Sequence, residues 1–156
     1  MKRFAALLLA LALAPAAFAA EDDPPARVGR LAWIEGEALA YTDPEAGWEN
    51  ASMNSHLTSE NSVWTEPRSR AEVRAGSIAL RLEEATQLDI VRLDDIELFA
   101  HLARGSLAVR VRYFERGEEI VITTPEGRFR IRGNGRFRID ADAGRRESRI
   151  TVFEGS

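Results

Sequence analysis

The chain has 156 residues, enough for one domain and a short leader, and its 45% hydrophobic and 29% charged content is that of an ordinary soluble globular protein. It contains no cysteine, which excludes disulfides, zinc-thiolate sites and cysteine nucleophiles. The net charge of −4 argues against a general nucleic-acid binder, which needs an extended basic surface.

The start of the chain reads as a targeting signal. Lys2 and Arg3 precede an apolar run from Phe4 to Leu13, and Ala17-Phe18-Ala19 has the small-x-small pattern of a cleavage site. A removed signal peptide over residues 1–19 is therefore expected, with export to the bacterial periplasm or beyond and no membrane span after cleavage. Residues 20–26, which include Pro24 and Pro25, read as an extended linker. After Ala19 every basic residue is arginine, the side chain suited to planar, bidentate contact with carboxylate or phosphate. Residues 20–109 hold 8 Arg against 17 Asp and Glu, and residues 110–156 hold 11 Arg against 8, so an acidic part precedes a mildly basic one.

From residue 27 the pattern is that of short strands. Val28, Leu31, Trp33 and Ile34, then Ala38, Leu39 and Tyr41, predict two strands about a turn at Gly36. Residues 48–58 read as a polar loop pinned by Trp48. Val63-Trp64-Thr65, Ala71-Glu72-Val73-Arg74 and Ile78-Ala79-Leu80-Arg81-Leu82 alternate again, the last after Gly76. Residues 83–104 fit a helical stripe as well as strands. The alternation of Ile96, Leu98, Ala100 and Leu102 with Glu97, Phe99 and His101 favours strands. Gly105 opens a further alternating run to Arg112, and residues 119–123 and 148–155 complete the set.

The most organised stretch is Gly127-Arg-Phe-Arg-Ile followed by Gly135-Arg-Phe-Arg-Ile. Period two places Phe129, Ile131, Phe137 and Ile139 on one face and Arg130, Arg132 and Arg138 on the other, with Gly133-Asn134-Gly135 as a tight turn or corner between strands. A Gly-x-apolar-x-apolar unit thus recurs at Gly76, Gly105, Gly127 and Gly135, at spacings too irregular for a repeat array. The expected fold is all-β: many short strands with glycine corners at Gly36, Gly76, Gly105, Gly133 and Gly135, arranged as a β-solenoid-like coil, a sandwich or a roll, with little or no helix apart from the signal peptide.

Several of these elements together resemble the FecR-domain family. They are Val28-Gly29-Arg30-Leu31, Val63-Trp64-Thr65, Arg70-Ala71-Glu72-Val73, Gly76-Ser77, Thr86-Gln87-Leu88, Gly105-Ser106-Leu107, Thr124-Pro125 and Gly133-Asn134-Gly135-Arg136-Phe137. The resemblance covers about residues 27–155. Two turns depart from it: Ser59-Glu60-Asn61-Ser62 stands where family members usually carry Gly-Asp, and Asn134-Gly135 where they carry Gly-Thr. The resemblance implies an all-β periplasmic domain over residues 27–156 that recognises a protein or an envelope component. The regulators similar to it also carry a cytoplasmic arm that controls a sigma factor; with only a short cleavable leader read here, anti-sigma action is not expected. A final strand ending in Glu154-Gly155-Ser156 would ordinarily feed another, so the natural chain is open to extending further.

Candidate chemistry is sparse. Arg110, Arg112, Arg128, Arg130, Arg132, Arg136 and Arg138 form a candidate partner-binding face for an acidic protein or anionic envelope glycan, against the simpler reading that they pair with Glu118, Glu119, Glu126 and Asp140. The carboxylates Glu83, Glu84, Asp89, Asp94, Asp95 and Glu97 offer no defined glycosidase pair. His56 and His101 are isolated from any nucleophile or metal-ligand spacing. Residues 140–144 fit a hairpin turn better than a calcium loop, which they would leave incomplete. The aromatics Trp33, Trp48, Trp64, Phe99, Tyr113 and Phe153 are scattered, most of them expected in the core. No catalytic residue, metal or cofactor is expected. The leading expectation is a non-catalytic binding or sensing module, the alternatives being a structural or assembly factor of the envelope and, distantly, an envelope glycan hydrolase.

Overall fold

A computed structural model describes residues 27–156, so the expected signal peptide and linker lie outside the described residues. These residues form thirteen strands and no helix, with 63% of them in strands. In chain order the strands are β1 (Gly29–Glu35), β2 (Ala38–Asp43), β3 (Gly47–Asn50), β4 (His56–Leu57), β5 (Asn61–Thr65), β6 (Arg70–Ala75) and β7 (Ile78–Leu82). They continue with β8 (Gln87–Leu93), β9 (Glu97–Val111), β10 (Glu119–Thr123), β11 (Arg128–Ile131), β12 (Gly135–Asp142) and β13 (Glu147–Glu154). The ambiguous segment after residue 83 is strand, as its alternation predicts.

One strand organises the rest. β9 is fifteen residues long and belongs to two sheet halves. Its first part, Glu97–Arg104, lies between β8 and β10 in a half that runs β3-β2-β5-β8-β9-β10-β11. Its second part, from Gly105, lies between β7 and β12 in a half that runs β4-β1-β6-β7-β9-β12-β13. We call the first of these the back half and the second the front half. All pairings are antiparallel except that of β10 with β9, so the architecture is a curled sheet, a roll rather than a stack of parallel coils.

Gly105 makes the bend possible. Before it Leu98, Ala100 and Leu102 face inward; after it Leu107, Val109 and Val111 do, so the alternation slips by one residue. Two strands read separately in the sequence are thus one strand with a bulge. Gly105 has φ +94, and a Cβ there would lie 2.6 Å from the Cα of Thr86.

The same corner is crossed by the links from β1 to β2, β5 to β6 and β7 to β8, and a ladder of short hydroxyl side chains stitches them. Ser69 Oγ accepts from Glu37 N at 2.9 Å. Thr65 Oγ1 donates to Glu83 O at 2.5 Å and accepts from Thr86 N at 3.1 Å. Thr86 Oγ1 accepts from Ser106 N at 3.0 Å. Thr65, Ser69 and Thr86 are buried, and these bonds supply the partners that burial demands. Gly36, at φ +76, completes the line: its Cβ would lie 2.9 Å from Ser69 Cβ.

Inside the roll both halves contribute to one apolar core that includes Leu31, Leu57 and Leu80 from the front and Leu88, Leu102 and Ile122 from the back. Gly76 turns the β6–β7 hairpin with φ +57. Gly133 and Gly135 behave differently from the expected positive-φ turn. Neither has positive φ, and Gly135 is small because a side chain would strike the Glu154 carbonyl and the Phe137 ring. The segment they occupy is a corner, carrying the chain from β11 in the back half to β12 in the front half.

Candidate partner-binding face

The strand order decides which arginines share a surface. On the outside of the front half, β6 presents Arg70, Glu72 and Arg74, β7 presents Ala79 and Arg81, β9 presents Ala108 and Arg110, and β12 presents Arg136, Arg138 and Asp140. Register aligns them in rows. Arg74 stands opposite Ala79, Ala79 opposite Arg110, and Arg110 opposite Arg136. In the next row Glu72 stands opposite Arg81, Arg81 opposite Ala108, and Ala108 opposite Arg138.

Two alanines therefore sit diagonally within a field of arginines. The lack of side chains beyond Cβ at Ala79 and Ala108 leaves a cleft of about 350 Å³, walled by Arg74, Arg81, Arg110 and Arg136, with Phe153 at its margin. Phe153 is 62% exposed, an apolar ring beside cationic groups.

Glu72 sets the charge of the cleft. It is only 3% exposed although it points outward, because Arg74 and Arg81 close over it. Arg74 Nε donates to its Oε1 at 2.5 Å, and Arg81 donates to its other oxygen. Burial pushes the Glu72 carboxyl up, but the hydrogen bonds and charges of Arg81 and Arg74 outweigh it and hold the group below its ordinary 4.5. Arg136 pairs with Glu154 at 3.2 Å, and Arg138 with Asp140 at 2.9 Å. Arg110 and Arg112 have no carboxylate in ion-pair range among the described residues. The six arginines 74, 81, 110, 112, 136 and 138 thus outnumber the three carboxylates Glu72, Asp140 and Glu154, leaving a local excess of positive charge. Such a surface can take up carboxylate or phosphate groups by bidentate hydrogen bonds.

The arginines read as one row from the sequence are divided by this topology. Arg110, Arg112, Arg136 and Arg138 belong to the front face. Arg128 and Arg130 lie on β11 at the rim of the back half, where Arg130 pairs with Glu119 at 2.8 Å and Arg128 stands over the Phe99 ring at 5.7 Å. Arg132 follows β11, its backbone N–H donating to Ser156 O at 3.0 Å. Of the other expected pairings, Glu118 takes Arg27 at 2.6 Å and Glu126 accepts from Ser148. Glu72, Arg74, Arg81 and the two alanines were missed because their strands lie far from β12 in sequence. Alternation exposes their polar side, but only the β7–β9 pairing makes them neighbours.

Other expectations meet local geometry. The six aromatics are not mostly core: Trp33, Trp48, Tyr113 and Phe153 are exposed, and Trp48 leans on Tyr41 at the surface with ring centroids 5.8 Å apart. The loop it was to pin holds β3 and β4. Trp64 is half-buried, with the Arg104 guanidinium 4.2 Å from its ring centre. The acidic side chains of residues 83–97 other than Asp95 are engaged locally. Glu83 pairs with Arg70, Glu84 accepts from Arg68 N, and Asp94 accepts from Arg92, Ile96 N and Glu97 N. His101 Nδ1 is 3.0 Å from Thr123 Oγ1, and His56 is exposed on β4. Residues 142–146 form the β12–β13 turn, in which Asp142 accepts from the backbone of Gly144 and Arg145.

Fold and surface together define an all-β domain rolled about a bent central strand, with a basic outer face. The chain belongs to the FecR family: the model described as FecR protein matches residues 61–156, more than half of the chain. The match begins at β5 and takes in β9 and the six arginines 74, 81, 110, 112, 136 and 138. No curated protein and no solved structure matches the chain. Membership suggests a sensing or regulatory module, and proteins of this family generally face the periplasm.

Proposed function

We propose that the protein is a periplasmic binding or sensing module without catalytic activity, which recognises a protein or envelope component through negative charge presented to the front face. The observation that carries this reading is Arg110, which walls the cleft in register between Ala79 and Arg136 with no carboxylate of its own among the described residues. An outer face built only for solubility would pair its charges across the strands, as Arg130 and Glu119 do. Here the intrinsic carboxylates are used by Arg74, Arg81, Arg136 and Arg138, and the excess is left for a ligand. The family's regulatory character and its periplasmic setting support the same reading. The test is retention of periplasmic partners on immobilised protein against increasing salt, comparing the wild type with Arg110→Glu/Arg112→Glu. Salt-sensitive retention lost in the variant supports the reading; unchanged, salt-insensitive retention refutes it.

A further inference from the structure

A second cleft on the front face lies over β1, β6 and β7. It has a volume of about 550 Å³, is lined by Trp33, Arg30, Arg70 and Glu83 among others, and shares Glu72, Arg74 and Arg81 with the Arg110 cleft. Trp33 reaches this face by a bulge. Leu31 is buried opposite Val73, and plain alternation would send Trp33 inward as well; the register instead slips at Ala32, so that Trp33 stands opposite Glu72 on the outer side. Bulges of this kind re-aim a side chain and are common beside functional sites. The indole is 43% exposed. Of the three tryptophans it is the one without a stacking partner among the described residues, since Trp48 leans on Tyr41 and Trp64 carries the Arg104 guanidinium.

The charges beside it are also left over. Arg30 stands opposite Arg74, and Arg110 opposite Arg136, so like charges face each other twice across neighbouring strands, which costs stability unless an anion lies between them. Arg74 and Arg136 each have a carboxylate, Glu72 and Glu154. Arg30 and Arg110 have none among the described residues, and the Arg30 guanidinium donates to Asn54 Oδ1 at 3.2 Å. The two lie on β1 and β9, in one register row through Arg74 and Ala79, three strand spacings or roughly 14 Å apart. A single carboxylate does not reach both. A chain of them does.

We propose that this face binds an acidic polysaccharide, a chain of sugars bearing carboxylates, laid across the strands with one ring stacked on Trp33 and carboxylates at Arg30 and Arg110. The C–H face of a sugar ring covers an indole much as another flat apolar surface does. Ring hydroxyls find an acceptor in Glu83, which lines the cleft. An extended acidic peptide fits less well. β6, β7 and β9 are each paired on both sides, so their backbone groups are taken, and the amides of a peptide laid over them would find no backbone partners. The carboxylate contacts rest on the anionic-partner reading; the stacking on Trp33 does not.

The test titrates the protein by calorimetry at low salt with oligogalacturonate long enough to cross four strands, with galacturonic acid monomer, with polyglutamate of the same charge as the oligomer, and with phosphatidylglycerol vesicles. The oligomer is expected to bind at least about fivefold more tightly than polyglutamate, the worth of one aromatic stacking contact, and the monomer far more weakly than either. Trp33→Ala should erase the fivefold margin, and Trp33→Tyr, which keeps a ring, should retain it. Arg30→Gln should weaken the oligomer and leave the monomer unchanged. An oligomer affinity indifferent to Trp33→Ala, a monomer that matches the oligomer, or polyglutamate or vesicles bound as tightly as the oligomer overturns the proposal. If oligomer and polyglutamate bind equally, are released by salt and are lost in Arg110→Glu while Trp33→Ala changes nothing, the anionic-partner reading stands and the polysaccharide falls. If no polyanion binds, both fall.

Discussion

Replacing Gly105 by alanine tests whether the bend in β9 holds the two halves together. At φ +94 a Cβ carries a backbone strain of about 1–3 kcal/mol. The new atom also falls 2.6 Å from Thr86 Cα, a backbone atom that cannot rotate away, and overpacking of this kind costs about 1–3 kcal/mol. Moving Thr86 would strain its hydroxyl bond to Ser106 and its amide bond to Thr65, roughly 1 kcal/mol more. The expected loss is about 3–7 kcal/mol, a large share of a typical domain's stability of roughly 5–15 kcal/mol. Urea unfolding followed by circular dichroism measures it. Gly117→Ala is the control: its φ is +87, but nothing lies within 4 Å of the added Cβ, so only the strain should appear. A loss below about 1 kcal/mol at Gly105, or equal losses at both glycines, would refute the argument that Thr86 and Gly105 are packed against each other.

Three further outcomes follow from the same contacts. Thr65→Val removes the hydroxyl that serves the half-buried Glu83 O and the buried Thr86 N and leaves both short of a partner, so urea unfolding should show a loss of about 1–3 kcal/mol. Glu72→Gln should cost about 1 kcal/mol at neutral pH, a value discounted because Arg74 and Arg81 are themselves well exposed. The folded Glu72 titrates below its ordinary 4.5, so its pairing stabilises the fold fully above that pH and is lost as pH falls through the folded value. The wild-type advantage over Glu72→Gln should therefore shrink as pH falls below 4.5, which unfolding measured on both sides of that pH would show. Gly135→Ala should push β13 away from β12 at the Glu154 carbonyl, seen as faster hydrogen exchange over residues 147–154 with the β6–β7 hairpin unaffected.

The strands were legible wherever alternation ran cleanly, as in Ala71–Arg74, Ile78–Leu82 and Phe137–Ile139, because one face of each meets the common core. Strand order was not, since register between distant segments leaves no mark within either of them. Gly127 and Gly135 open near-identical runs that look like a hairpin, yet β11 joins β10 and β12 joins β9. That one fact moves Arg128 and Arg130 off the front face and brings in Arg74 and Arg81. Gly105 was visible as a punctuating glycine, but its role in shifting the inward phase of a single strand depends on Thr86, nineteen residues earlier. Exposure of Trp33, Trp48 and Phe153 was hidden for a related reason: an aromatic in an alternating strand goes to the core or to solvent according to which face the roll turns inward.

The most direct test of the anionic-partner account is site-specific photo-crosslinking in the periplasm. A photoreactive residue at position 108, on the floor of the arginine cleft, is compared with one at position 89 on the outer face of the back half. The account predicts discrete adducts from position 108 that disappear in Arg110→Glu and when salt is raised before irradiation, with none from position 89. Adducts from position 89 alone, or adducts at 108 indifferent to salt and to Arg110→Glu, would contradict it.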